Sequence, residues 1–171
     1  CLFSISITHR KPQIHHPMAE PLNIDKLDRK ILSLITKNAR IPYLEVAREC
    51  EVSGAAIHQR IQRLTKLGII TGSEFVIDAK KIGFHTCAYV GIFLDNAGLY
   101  PEVVSKLKEI PEITQCHYIT GNYSIFIKVY TRNNEDLKHV LVDKVQAIPG
   151  VERTETFISL EETFNRQLPL E

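Results

Sequence analysis

No stretch of this 171-residue chain is long and apolar enough to cross a membrane, since a spanning helix needs roughly 20 such residues. Cysteine is sparse. Cys1, Cys50, Cys87 and Cys116 stand far apart, with no CxxC pair and no metal-ligand spacing. That pattern argues against a disulfide scaffold or a metal centre and reads as reduced thiols in a cytoplasmic protein. No acid–base or metal constellation gathers elsewhere, so neither a cofactor nor catalysis is expected. Methionine occurs once, at Met18. The opening apolar run is short and follows no basic residue, so it does not read as a signal peptide. We expect translation from Met18, with residues 1–21 a non-native or disordered leader.

Net charge is nearly absent as well, at +1, but the balance is uneven. Residues 20–70 carry nine basic and six acidic side chains, whereas residues 71–171 carry ten and fourteen. A basic front and an acidic back suit a front that meets phosphate. Length allows one large or two small domains.

The front is punctuated as three helices. Asp25 can cap the first, and Ile24, Leu27, Ile31, Leu34 and Ile35 share one helical face until about Asn38. Pro42 suits the start of the second, where a missing N–H costs nothing, and Leu44, Val46 and Ala47 supply its buried side. Glu51 and Val52 make the turn into the third. Ser53 sits at an N-cap position and Gly68 where a helix stops in a left-handed residue. Ile57, Ile61 and Leu64 recur at steps of four and three. Opposite them lie Gln59, Gln62, Arg63 and Lys66, with Ala55 near the N-terminal end. Any surface helix has two such faces, but this one suits the major groove of double-stranded DNA.

The individual residues differ. Gln59 and Arg63 can reach base edges or phosphates. Ser53 has a capping reason to be present, and the helix start beside it, with Gly54, can also hold a phosphate. Arg60 borders the apolar arc and can equally pair with an acid of the same unit. His58 flanks the polar face as an ordinary surface histidine would. The candidate DNA contacts are Ser53, Gly54, Ala55, His58, Gln59, Arg60, Gln62, Arg63 and Lys66.

After Gly68 the period changes. Ile69, Ile70, Phe75, Val76 and Ile77 suggest a wing-like or linking strand, followed by a loop over 79–85. Farther on, Lys106, Ile110, Pro111 and Ile113 are matched by Lys144, Ile148, Pro149 and Val151, each 38 residues later. Each copy reads as helix end, Pro-turn and strand, with a strand before each helix (87–94 and 125–130). Strand–helix–strand twice is a βαββαβ, ferredoxin-like layout. Both faces of these strands are apolar, and two helices cover only one of them. A second copy of the sheet is the simplest cover for the other, so a homodimer is expected.

Three motifs in this order (IDKLDRKIL at 24–32, VSGAAIHQRIQRLTKLGII at 52–70 and TGNYSIFIKV at 120–129) resemble the Lrp/AsnC, or feast/famine, family of prokaryotic transcription regulators. The resemblance spans about residues 22–165. It implies an α+β chain: a helix-turn-helix DNA-binding domain over 22–70, a linking strand and loop over 71–85, a ferredoxin-like effector and oligomerisation domain over 86–165, and a tail over 166–171. It also implies homodimers assembling to octamers, and a small amino acid bound near the turn between the second and third strands.

That turn is Gly121-Asn122-Tyr123-Ser124. Many relatives place acids where Asn122 and Ser124 stand, so the turn is closest to the asparagine-responsive branch. Thr120 to Ser124 (Thr120, Gly121, Asn122, Tyr123, Ser124) and, on the last strand, Thr154 and Thr156 are the expected effector residues. A Gly-Asn turn needs no ligand to explain it, and Thr is normal on a strand. A siroheme-decarboxylase-like enzyme of the same architecture is the alternative function, with His58 or His117 near a tetrapyrrole.

Overall fold

Helix α1 (Lys26–Lys37) begins because two aspartates satisfy its orphan amides. Asp25 accepts from the Asp28 N–H at 2.7 Å and Asp28 accepts from the Asp25 N–H at 3.1 Å, a reciprocal capping box. Its end at Asn38 is where the sequence places it. In α2 (Tyr43–Cys50), Val46, Ala47 and Cys50 are buried. Leu44, expected on that buried side, is 62 % exposed. It lies two residues before Val46, which puts it across the helix from the core stripe. Pro42 is the N-cap rather than the first helical residue. Glu51 then turns the chain in the left-handed region (φ 56°, ψ 40°).

Helix α3 (Gly54–Lys66) starts as Ser53 accepts the Ala56 N–H at 3.2 Å. It closes on Gly68 at φ 72°. The Gly68 N–H donates to Thr65 and the Ile69 N–H to Leu64, both at 2.9 Å, a Schellman closure. Ile57, Ile61 and Leu64 are all buried, and Ile57 and Ile61 join Ile31, Val46, Ala47 and Cys50 in one core. Ser53→Ala is expected to lower stability by about 1 kcal/mol, read as a lower denaturation midpoint of the full chain.

The structure is a computed structural model that describes residues 23–170. The expected leader therefore lies outside the described residues. Two units separate: the described residues up to Ser73 with those from Gln167 on, and Glu74–Arg166. The expected wing strand is not formed. Residues 71–78 carry no regular structure, and Phe75, Val76 and Ile77 are 72, 101 and 64 % exposed. β-prone side chains make a strand only beside another backbone, and the sheet of this chain does not extend to them. The loop that follows contains a 3₁₀ turn, Lys80–Ile82, closed by Gly83 at φ 95°.

The second unit is β1 (Thr86–Leu94), α4 (Tyr100–Leu107), β2 (Ile113–Tyr118), β3 (Ile125–Thr131), α5 (Asn134–His139) and β4 (Val151–Ser159). The antiparallel sheet has order β2-β3-β1-β4, the ferredoxin-like arrangement. The internal repeat is visible in the backbone. The Ile113 N–H donates to Ile110 and the Val151 N–H to Ile148, both at 3.1 Å. Helix α5 runs on into a π-helical turn, Val140–Val145, which the sequence pattern does not announce. Ala88, Val90, Ile92, Ile125, Ile127 and Val129 face Val103, Leu107, Leu137, Val140 and Val145 in a single core.

Candidate DNA-reading face and effector turn

The buried stripe of α3 fixes which side is left for a partner. Ala55, Gln59, Gln62 and Lys66 are exposed, about half a turn from Ile57 and Leu64. His58 and Gln62 meet at 3.0 Å through His Nε2 and the Gln amide nitrogen, and the His58 ring lies 6.1 Å from Tyr43. Gly54 begins the helix with open space around the position of a Cβ. Ser53 is engaged as the cap.

The two arginines of α3 behave differently from the rest. Arg60 donates from Nη1 to Asp25 at 2.5 Å and to Asp28 at 2.9 Å. Arg63, expected among the base-reading residues, donates to the second carboxylate oxygen of Asp28. Asp28 is fully buried. It therefore receives both guanidinium groups while capping α1, and it joins α1 to α3 across 32 and 35 residues of sequence. The Arg60 hydrogen bond, followed by the Asp28 backbone N–H, holds the Asp25 carboxyl below its ordinary range, and Asp25 and Asp28 in turn raise Arg60. A carboxylate depressed in this way stabilises the fold above its unfolded pKa, and that contribution fades only as acid brings the pH down through the folded value. Asp28 is a structural linchpin of this face that the sequence pattern does not single out. Its one sequence signal is the D-x-x-D spacing of a capping box.

The expected effector turn joins β2 to β3. Gly121 takes φ 110°, which glycine adopts without steric cost. Thr120, Gly121 and Asn122 are exposed, while Tyr123 and Ser124 are half-buried. Ser124 is held through its backbone: its N–H donates to Ile92 at 3.0 Å and its carbonyl accepts from Ile119 at 3.1 Å.

Tyr123 leaves the turn and lies on the sheet face away from the helices. Its ring covers Gly91, where an added Cβ would sit 2.5 Å from Tyr123 Cδ1. The hydroxyl donates to Glu155 at 2.7 Å, and that bond, with burial and the Glu155 charge behind it, pushes the phenol above its ordinary range. Phe93, Phe126 and Phe157 surround the ring at 5.1, 6.0 and 6.4 Å.

On edge strand β4, Thr154 and Thr156 pair with Ile92 and Val90, two residues whose side chains face the helices. Thr154 accepts from the Gln146 amide at 2.7 Å. The structure thus parts the expected effector residues between the two sheet faces, with Tyr123 on one and the two threonines on the other. Gly91 and Glu155, which hold Tyr123, were not anticipated. A glycine inside a strand is the only signal for the first.

The outer sheet face is partly covered by the chain itself. Lys128 is buried there, with its ammonium 3.0 Å from Glu162 and 5.1 Å from the Tyr130 ring. Burial alone would lower its pKa, but the neighbouring Tyr130 phenol and the hydrogen bond to Glu162 raise it above the ordinary lysine range. His117 lies on this face, exposed beside Phe126 in the ladder. Among the described residues no group of three or more His, Cys, Asp or Glu could hold a metal ion, and no helix is long and apolar enough to cross a membrane.

A helix-turn-helix unit with an open polar face, followed by a ferredoxin-like unit, defines a two-part DNA-binding protein. Family models agree with both parts: a winged helix-turn-helix DNA-binding model matches residues 24–71, and an Lrp/AsnC ligand-binding domain model matches 87–169. The chain is 42 % identical over 146 residues to the regulatory protein AsnC of Haemophilus influenzae, covering 85 % of this chain and 97 % of that one. The solved structure of Escherichia coli AsnC is 40 % identical, covers 85 % of this chain and 98 % of its own, and superposes with a TM-score of 0.81. A Neisseria meningitidis transcriptional regulator in complex with L-Met shares the fold at 19 % identity, covering 86 % and 97 %, with a TM-score of 0.81. The chain belongs to the Lrp/AsnC family of transcription regulators. It is a DNA-binding regulator with a ligand-binding domain.

Proposed function

We propose that α3 enters the major groove of a specific operator and that a small amino acid, asparagine first, bound at the turn over 120–124 tunes the regulator. The open Ala55–Gln59–Gln62–Lys66 face of α3 carries the DNA half of this reading. Residues 22–70 serve as the DNA domain and 86–165 as the effector and pairing domain. The effector half rests on the neutral turn and on AsnC relatives at 40–42 % identity. Asn122 and Ser124 bring no charge, so backbone groups and hydroxyls meet the ligand. Its ammonium and carboxylate both need partners, because a buried unpaired charge is costly. The absence of an acidic pair disfavours lysine and arginine.

Pairing of two chains through the outer sheet face, and of dimers into an octamer, completes the proposal. Phe157 and Phe164 on or beside that face are 50 and 69 % exposed, an area a second copy would cover.

Calorimetry of the full chain with asparagine tests the effector. Heat and a thermal upshift are expected at millimolar ligand. Ser124→Ala should weaken binding about 2- to 10-fold, the worth of one hydrogen bond, and leave ligand-free DNA affinity intact. Absence of both heat and shift with asparagine would remove the asparagine assignment and leave the regulator standing.

A further inference from the structure

We propose that Gln59 is the adenine-reading residue of α3, and that Arg60 and Arg63 are positioning residues that hold the helix without reading bases. This rests on the reading of α3 as the groove-bound helix. The outward side chains differ in what they have left to offer a base. Gln62 is engaged with His58. Lys66 stands at the last helical position, and a group that can only donate suits a phosphate there. Ala55 offers only a methyl group. Gln59 is exposed and takes part in no hydrogen bond or ion pair among the described residues. Its amide presents one donor and one acceptor side by side. That pair matches the N6 donor and N7 acceptor of adenine in the major groove.

The arginines lack that freedom. Both oxygens of Asp28 are occupied, one by Arg60 and the other by Arg63 and the Asp25 N–H. Asp28 is 0 % exposed. An arginine turning out to a guanine would withdraw charge from a carboxylate that water does not reach, and broken buried pairs are strongly unfavourable. The same contacts fix the rotation of α3 about its axis, because they fasten its side to the start of α1. With that rotation fixed, Gln59 stays on the face opposite the core. Asn23, Asp25, Gln59, Arg60 and Arg63 line one open groove, so Gln59 stands immediately beside the clamp that sets its direction.

Selection of duplexes from a pool with randomised positions, using the full chain, tests this with no operator chosen in advance. The wild type should show an adenine preference. Gln59→Ala should reduce discrimination at that base pair by about 5- to 150-fold and preserve the ranking at other positions. Gln59→Glu, which can only accept, should move the preference toward cytosine. Arg63→Ala should weaken all duplexes alike with an unchanged salt slope, since no phosphate contact is lost, and Arg63→Lys should restore most of the affinity. An unchanged profile for Gln59→Ala, or a change at one base for Arg63→Ala, would overturn the inference alone. A wild-type chain with no sequence preference would overturn the DNA reading of α3 and this inference with it.

Discussion

Asp28→Ala should lower the unfolding free energy of the helix-turn-helix unit by about 2.5–4 kcal/mol, from roughly 1 for a lost cap and roughly 1.5–3 for charged hydrogen bonds. One fully buried carboxylate does three things at once: it closes the capping box of α1, pairs with Arg60 and pairs with Arg63. The alanine removes all three. It leaves the Asp25 N–H without its side-chain acceptor, frees the Arg63 guanidinium from α1 and leaves the Arg60 guanidinium only its bond to Asp25. Those groups are 30 and 45 % exposed, so water takes up their charge and the loss stays below that of a fully buried broken pair. Denaturant unfolding of the full chain, followed by a probe of helix, measures it. A loss under about 0.5 kcal/mol, the range of an ordinary surface change, would show that the cluster is a solvated surface pair. Operator affinity should fall in the same variant, because α3 keeps only the Arg60–Asp25 contact of the three that set its rotation.

The features legible in the sequence were local or periodic. Asp25, Ser53 and Gly68 act within one turn of backbone, so their roles follow from residue type and spacing. The burial of Ile57, Ile61 and Leu64 follows from helical period, and the alternation of Ala88, Val90 and Ile92 follows from strand period. Contacts that depend on distant partners were not legible. Arg63 points away from the core on a helical wheel, yet Asp28, 35 residues earlier, claims it. Leu44 was assigned to the core by its hydrophobicity, but its angular position overrules that. Residues 69–77 are β-prone, but propensity cannot supply the neighbouring backbone a strand requires. At the candidate effector site, the turn was visible from Gly121 and Asn122. The direction taken by Tyr123 was not, because it depends on Gly91 and Glu155 coming from two other strands.

Gly91→Val should destabilise the second unit by about 1–3 kcal/mol, the usual cost of overpacking, and should weaken the amino-acid binding proposed at the turn over 120–124. Gly91 sits in the middle of β1, paired with Phe126 on one side and Glu155 on the other. Valine itself favours strands, so backbone propensity argues for a gain. The obstacle is the Tyr123 ring, with Cδ1, Cγ and Cε1 at 2.5, 2.6 and 2.7 Å from the position of a new Cβ. The atoms in the way belong to the ring body rather than to a flexible side-chain tip, so the whole ring must swing off the sheet. Its hydrogen bond to Glu155 and its packing on Phe93, Phe126 and Phe157 go with it. Because Tyr123 is part of the turn, its departure also reshapes the backbone on which Asn122 and Ser124 stand. A double-mutant cycle isolates the contact. Tyr123→Ala removes the ring before the valine arrives, so the double variant should be clearly less destabilised than the two single losses combined. Strict additivity in thermal unfolding would mean that valine disturbs the sheet by another route and that the ring over Gly91 does not constrain residue 91.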